Sequence, residues 1–471
     1  MTAPSPKSYQ AFLKSKTPLA QQLGFDPPMP WPQAIKPFQR DIATWACKRG
    51  RAAIFAGTGL GKTLQELSWA QQVCAHTGGR VLIFTPLAVA EQTVREAQKF
   101  GIDGVAYALD ESAITGPIVV TNYERRDKFD LSEFAGIVLD ESGILKHDDS
   151  KTRADLTDSC HETPYLLCAS ATPAPNDWTE LGQHSEFLGV MSAKEMLSMF
   201  FVHDGSVRAK AEEDWRLKRH AEQDFWRWLA SWSVMIRHPR DLGYDEPGYD
   251  LPALHMRQVT VAVEYKPTAG MLFPMEAQTL QERIRARKDS VSERVRAAAE
   301  IVATKPDESW LIWCNLNSEA DAITKAIPGA VNVQGSDKTE HKVRNLLGFS
   351  QGNPRVLVSK PSIAGHGMNW QNCANVVFVG LNDSFEQLFQ AVRRCWRFGQ
   401  TREVTVHLIA SEIEGAVVSN LMAKERKYDR MAAAMQDHMK DLSKAAVRGG
   451  RQSVSIYNPK MKMEVPSWLA A

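Results

Sequence analysis

An apolar run, Ala52 to Phe55, leads directly into Ala56-Gly57-Thr58-Gly59-Leu60-Gly61-Lys62-Thr63, and a helix-patterned stretch begins at Lys62. A strand that turns through glycines into a helix is the junction on which parallel α/β architecture is built. The turn leaves backbone N–H groups unpaired at a helix N-terminus, where, with the helix dipole, they attract phosphate oxygens. In this pattern Gly57, Gly59 and Gly61 form the loop, Lys62 reaches the β and γ phosphates and Thr63 holds Mg²⁺. Ala56 stands where the pattern begins with glycine. The competing reading is a glycine-rich turn that only caps a helix.

The same alternation runs through the chain. Ala52–Phe55, Val81–Thr85, Ile118–Thr121, Ile137–Leu139 and Tyr165–Ala169 are short apolar runs separated by helix-patterned segments. A second series follows at Trp310–Cys314, Val331–Gln334, Val356–Ser359, Val376–Gly380 and Val404–Ile409. Continuous apolar strands between helices predict parallel sheets covered on both faces, hence two α/β lobes. At 471 residues the chain is too long for one core. The expected organisation is an N-terminal arm over 1–30, a first lobe with a helical extension over 31–240, a linker over 241–255, a second lobe over 256–443 and a basic tail over 444–471. Trp215, Trp226, Trp228 and Trp232 lie in the extension and are expected to pack a helical core rather than to stack on nucleic acid bases. The arginine-rich stretch Gln281–Arg296 reads as a solvated helical face, and the tail as a disordered end or a loose phosphate-contacting arm.

Composition narrows the partners only a little. A net charge of +1 gives no global attraction to nucleic acid, so any basic surface must be local. Seven scattered cysteines without a Cys-x-x-Cys pair suggest reduced, buried thiols, and no apolar run approaches a membrane span. A cytoplasmic protein that uses no membrane is expected.

Other segments carry chemistry. The strand ending at Leu139 delivers Asp140-Glu141, one acid suited to a Mg²⁺ shell and the other to polarising water, the division that γ-phosphate hydrolysis needs. Tyr165–Ala169 runs into Ser170-Ala171-Thr172-Pro173, whose hydroxyls suit a relay from the phosphate, or simply a turn. Gln390-Ala391-Val392-Arg393-Arg394-Cys395-Trp396-Arg397 places Arg394 and Arg397 on one helical face, where a second domain can supply guanidinium groups to a transferring phosphoryl group.

Together these segments resemble the superfamily 2 helicase-like ATPases, and within them the Swi/Snf type, across roughly residues 35–430. Pro37-Phe38-Gln39-Arg40, Thr85-Pro86-Leu87, Thr121-Asn122-Tyr123-Glu124 and Gly365-His366-Gly367-Met368-Asn369-Trp370 complete the ordered set. The resemblance implies two RecA-like lobes that close on ATP and Mg²⁺. It assigns Gln39 to the adenine, Lys62, Thr63, Gly57, Gly59 and Gly61 to phosphates and metal, Asp140 and Glu141 to metal and water, and Arg394 and Arg397 to the γ-phosphate. Gly365 and Gly367 fall at the nucleotide side of the second lobe, with Ser170, Thr172 and Gln390 coupling the lobes. Segments around Thr85, Thr121 and Gly365 would follow a nucleic acid backbone, duplex DNA favoured, without strong sequence preference. A directing protein partner is left open. Ser142-Gly143 and Trp396 depart from the usual pattern. The alternatives are a strand-separating helicase, or a nucleotide-dependent clamp or adaptor without sustained turnover.

Overall fold

The computed structural model describes residues 19–87, 89–146, 151–203, 215–263, 287–364, 368–382, 384–412 and 415–448. Fifteen strands are found among them, β1 Arg51–Ala56, β2 Arg80–Thr85, β3 Val105–Tyr107, β4 Ile118–Asn122, β5 Phe134–Asp140, β6 Tyr165–Ser170, β7 Phe201–His203, β8 Trp215–Leu217, β9 Ser233–Ile236, β10 Leu254–Val261, β11 Trp310–Trp313, β12 Ala330–Val333, β13 Val356–Ser359, β14 Asn375–Phe378 and β15 Val404–Ser411. They form a seven-stranded sheet in the order β3-β4-β2-β5-β6-β1-β9, a six-stranded sheet in the order β10-β15-β14-β11-β13-β12, and the small antiparallel pair β7-β8. Every pairing within the two large sheets is parallel.

Side chains of a strand alternate between faces, so β1 sends Ala53 and Phe55 into one core layer and Ala52, Ile54 and Ala56 into the other. β11 divides Leu311 and Trp313 from Trp310 and Ile312 in the same way. Each sheet therefore carries apolar layers on both faces, which is why its strands read as continuous apolar runs. Removing one such buried side chain from water contributes about 1.5–3 kcal/mol. Trp226, Trp228 and Trp232 are buried in the first lobe, as expected, while Trp215 on β8 is 38% exposed.

Three features differ from the sequence expectation. β3, β9 and β10 were not expected as strands, and β9 turns the end of the proposed helical extension into the edge of the first sheet. Arg294 and Arg287 are buried rather than solvated. Arg294 Nη1 pairs with the fully buried Glu319 at 2.6 Å and its Nε donates to Ser290 Oγ at 3.0 Å, while the other carboxylate oxygen of Glu319 accepts the Asn315 and Leu316 N–H groups. An alternation of Arg and Glu marks a solvated face only when no acid from another helix caps it inside. The helix Gly415–Arg448 runs through the boundary expected at 443 and leaves the second lobe. Its Leu421, Tyr428 and Ala432 lie in the second-lobe core, whereas Met435 and Met439 are buried in the first-lobe core. All seven cysteines are unpaired, and no helix among the described residues is long and apolar enough to cross a membrane.

Candidate active site

Parallel strands point their carboxyl ends the same way, and the first sheet's carboxyl edge collects the loop after β1, Thr85, Asn122, Asp140 and Ser170. The loop after β1 is shaped by its glycines. Gly59 has φ +88°, and a Cβ there would come within 2.9 Å of Phe398 from the second lobe; Gly61 has φ +76°, and its Cβ would strike the Gln39 amide. Only glycine meets both conditions. Gln39, buried at the start of helix Pro37–Arg49, donates from Nε2 to Leu60 O at 2.9 Å and accepts from the Lys36 N–H at 2.9 Å. This amide clamps the loop to the helix in front of it.

A cavity of ≈ 420 Å³ opens where this edge meets the second lobe. Lys62, Thr63, Asp140 and Glu141 line it from one side, and Arg394, Arg397 and Asn369 from the other. Lys62 Nζ donates to Ala56 O at 3.4 Å, folded back over its own loop. Arg394 and Arg397 both donate to Met368 O, at 3.4 and 3.3 Å, and Arg394 Nε holds Gln390 O at 3.0 Å. Their shared carbonyl sets the two guanidinium groups side by side. Burial, then the neighbouring Arg397, lower the Arg394 pKa to about 10, and the carboxylates Glu141 and Asp140 act against that shift from across the cleft.

The acid pair is under strain. Glu141 has φ +52°, the sole non-glycine residue in the left-handed region among the described residues, a conformation costing about 1–2 kcal/mol that concentrates at functional positions. Tyr123 Oη donates to Asp140 O at 2.7 Å and fixes the turn. Burial, then Glu141, push the Asp140 carboxyl up to about 7, with Lys62 opposing. Directly behind lies Glu66, one helical turn beyond Lys62, fully buried with neither carboxylate oxygen hydrogen-bonded. Its pKa is raised well above the ordinary range by burial and by Asp140. Three crowded carboxyls that Lys62 only partly offsets fit a divalent ion held by Asp140 and Thr63, since Mg²⁺ takes one or two protein oxygens and completes its shell with water and phosphate.

Of the residues expected at the site, Gln39, Gly59, Gly61, Lys62, Thr63, Asp140, Glu141, Arg394 and Arg397 line this one cavity. Gly57 faces a second cavity and donates its N–H to Ile236 O at 2.9 Å. Ser170 and Thr172 bond to each other, Thr172 N–H to Ser170 Oγ at 3.1 Å, away from the cavity, and Gln390 enters only through its carbonyl. Gly365 and Gly367 lie outside the described residues. Ser142, one of the departures from the usual pattern, meets the buried His184 at 3.1 Å, and burial lowers that imidazole's pKa to about 4. Lys36, Gln92, Glu96, Lys99 and Tyr249 also line the cavity. Nothing in their local sequence marks them; only the fold gathers them.

Two family models match the chain, the SNF2-related domain over residues 38–219 and the helicase conserved C-terminal domain over residues 293–399. The chain is a superfamily 2 helicase-like protein of the Swi/Snf type. The two matches of this Swi/Snf-type chain fall on the two sheets in order, and its lobes are RecA-like. Among solved structures it is similar to a fragment described as an HsdR subunit of a type I restriction enzyme from Vibrio vulnificus YJ016, at 15% identity and TM-score 0.52, over 89% of this chain and 72% of that one. It is also similar to the SWI2/SNF2 ATPase core of Sulfolobus solfataricus in complex with dsDNA, at 18% identity and TM-score 0.41, over 91% and 98%. No curated protein matches it.

Proposed function

We propose that this chain hydrolyses ATP between its lobes and uses the cycle to move along duplex DNA, gripping backbone phosphates without reading sequence. One observation carries the reading: a single cavity takes Lys62, Thr63, Asp140 and Glu141 from one lobe and two arginines from the other. Lys62 would leave the Ala56 carbonyl for the β and γ phosphates, and the N–H groups of the Gly59–Thr63 turn would receive phosphate oxygens. Thr63 and Asp140 would hold Mg²⁺, which neutralises charge on the phosphates. Glu141, aimed by its left-handed backbone, would accept a proton from the attacking water. Arg394 and Arg397 would stabilise charge on the transferring group only when the lobes are closed. Membership of the Swi/Snf type supports duplex DNA as the track, and unpaired thiols throughout support a reducing, cytoplasmic setting.

The test is ATP turnover of the full chain with no nucleic acid, single strands, duplex DNA and duplex RNA. Stimulation by duplex DNA that weakens steeply with salt is expected, because phosphate contacts release counterions. Lys62→Ala should abolish turnover, Glu141→Gln should bind ATP without hydrolysing it, and Arg394→Ala or Arg397→Ala should lower turnover by a factor on the order of 10³ with ATP affinity changed only a few-fold. Parent-level hydrolysis in Lys62→Ala would refute the site; turnover indifferent to every nucleic acid would refute the track.

A further inference from the structure

Behind the loop that follows β1 lies a second cavity, ≈ 120 Å³ against ≈ 420 Å³ for the first, so it has room for one small ion and not for a nucleotide. Phe55 and Met235, which line it, belong to the core layer on the face of the sheet away from helix Lys62–Thr77. Gly57, Thr58 and Leu60 form one wall, and Phe389, Arg393 and Tyr428 close it from the second lobe and the bridging helix. Thr58, Tyr249 and Phe398 line both cavities, so a thin wall of loop separates them.

The charges in this small space are one-sided. Arg393 is clasped between aromatic faces, its guanidinium carbon 4.9 Å from the Phe389 ring centre and 4.2 Å from that of Trp396. Arg237, at the end of β9, lines the same space and repels it. Among the described residues neither guanidinium has a carboxylate within ion-pair distance; the exposed Asp429 only attracts Arg393 from farther off. Tyr428 spends its hydroxyl proton on Ala171 O, 3.2 Å away. Arg237 is exposed and Arg393 half-buried, so the space is open to solvent on one side, and two guanidinium groups with no acid in ion-pair reach there attract an anion. Guanidinium forks match tetrahedral oxyanions, and the Thr58 hydroxyl adds a donor from the opposite wall.

We propose that this cavity is a second oxyanion site, holding orthophosphate between Arg237 and Arg393 at the back of the phosphate loop. The site does not depend on ATP hydrolysis in the neighbouring cavity. It accepts orthophosphate from solution or from a product released through the loop wall. Its occupant would draw β9, the loop and the second lobe together without touching the nucleotide.

The experiment is a phosphorus NMR titration of the full chain with inorganic phosphate, alone and with saturating duplex DNA. The parent is expected to show two saturable events, of which Lys62→Ala removes one. Arg237→Gln and Arg393→Gln should each weaken the other at least tenfold while a fluorescent ATP analogue binds within about two-fold of the parent. Arg393→Lys keeps the charge and should retain the event, weakened several-fold, which guards against a merely misfolded glutamine variant. Loss of all phosphate binding in Lys62→Ala, or persistence of both events in the two glutamine variants, would overturn the proposal. Displacement of the second event by duplex DNA would overturn it too, since the occupant would then be a backbone phosphodiester. A lower melting temperature with both events intact would reduce Arg393 to a packing residue.

Discussion

Glu66 is the least expected residue in the structure. A glutamate in a helix-patterned run is ordinarily solvated, and nothing around Glu66 in the sequence says otherwise; it is buried because the helix behind the loop presses that face onto β5, bringing it against Asp140. Both carboxyls are raised in the folded chain, chiefly by burial, and Asp140 reaches about 7. A raised carboxyl favours the folded state while it is protonated in both states' comparison, that is, fully below its unfolded value near 4, and this contribution fades as pH rises through the folded value. The nucleotide-free protein should therefore lose stability as pH rises above about 4, through about 7 for Asp140, with Glu66 adding to the loss in the same direction. Glu66→Gln keeps the shape and removes the charge, so its melting temperature at pH 8 is expected to exceed the parent's by about 2–4 °C for each kcal/mol relieved. The gap should close near pH 5. Thermal melts across pH check this, and a variant less stable than the parent at pH 8 would show that the glutamate is held by a favourable contact. Saturating Mg²⁺ and nucleotide should narrow the difference if the ion sits beside Asp140, where its charge would offset the neighbouring carboxyls.

At the scale of elements, the helix Phe385–Val392 joins two jobs. Its first turn offers Glu386, which accepts a hydrogen bond from Lys146 of the first lobe, and its far end leads into Arg394 and Arg397. Lys146 closes the short 3₁₀ turn Ser142–Lys146 that follows the acid pair. The ion pair thus sets the height of the arginines above Glu141, and it is only partly exposed, 12% for Lys146 and 26% for Glu386. Lys146→Ala is expected to lower ATP turnover about tenfold or more with little change in ATP affinity, and the swap Lys146→Glu with Glu386→Lys to recover part of it. Kinetics of the two singles and the swap test this; turnover equal to the parent in Lys146→Ala would mean that the lobes find register without it. Elements of this kind were unevenly legible in the sequence. The central strands were, because burial on both faces leaves them uniformly apolar. β9 was not, since it follows the tryptophan helix Glu222–Trp232 with no turn residue between them. β10 was not, since as an edge strand it alternates half-buried and exposed residues and mixes His, Arg and Gln into its run. The nucleotide-side residues of the loop and acid pair could be read from their spacing, whereas the Lys146 pair joins residues 240 apart and Glu66 is buried by its meeting with Asp140 on another strand.

For the molecule as a whole, the helix Gly415–Arg448 makes the lobes one mechanical unit. It leaves the second-lobe core at Ala432 and enters the first-lobe core at Met435 and Met439, with Gln436 Nε2 donating to Asp241 at 2.7 Å. Opening the cleft must therefore bend this helix or slide it along one lobe. Met439→Ala is expected to cost about 2–5 kcal/mol, as other buried large-to-small changes do, and the loss should fall on the first lobe although residue 439 follows the second. Denaturant unfolding followed by amide exchange of β1 and β9 would locate it; protection lost only in the second sheet would contradict the assignment.

The N–H of Met235 donates to Ser443 Oγ across 208 residues of sequence. On the ribosome an N-terminal domain ordinarily folds as it emerges, at about 5–20 residues per second. Here the first sheet leaves the tunnel with an apolar trough along β9 and the Glu222–Trp232 helix, and the strip that covers it is synthesised only after the whole second sheet. For some ten seconds or more at those rates, the nascent first lobe offers that trough to whatever chaperone or neighbouring chain reaches it, and the order of synthesis becomes a hazard built into the architecture.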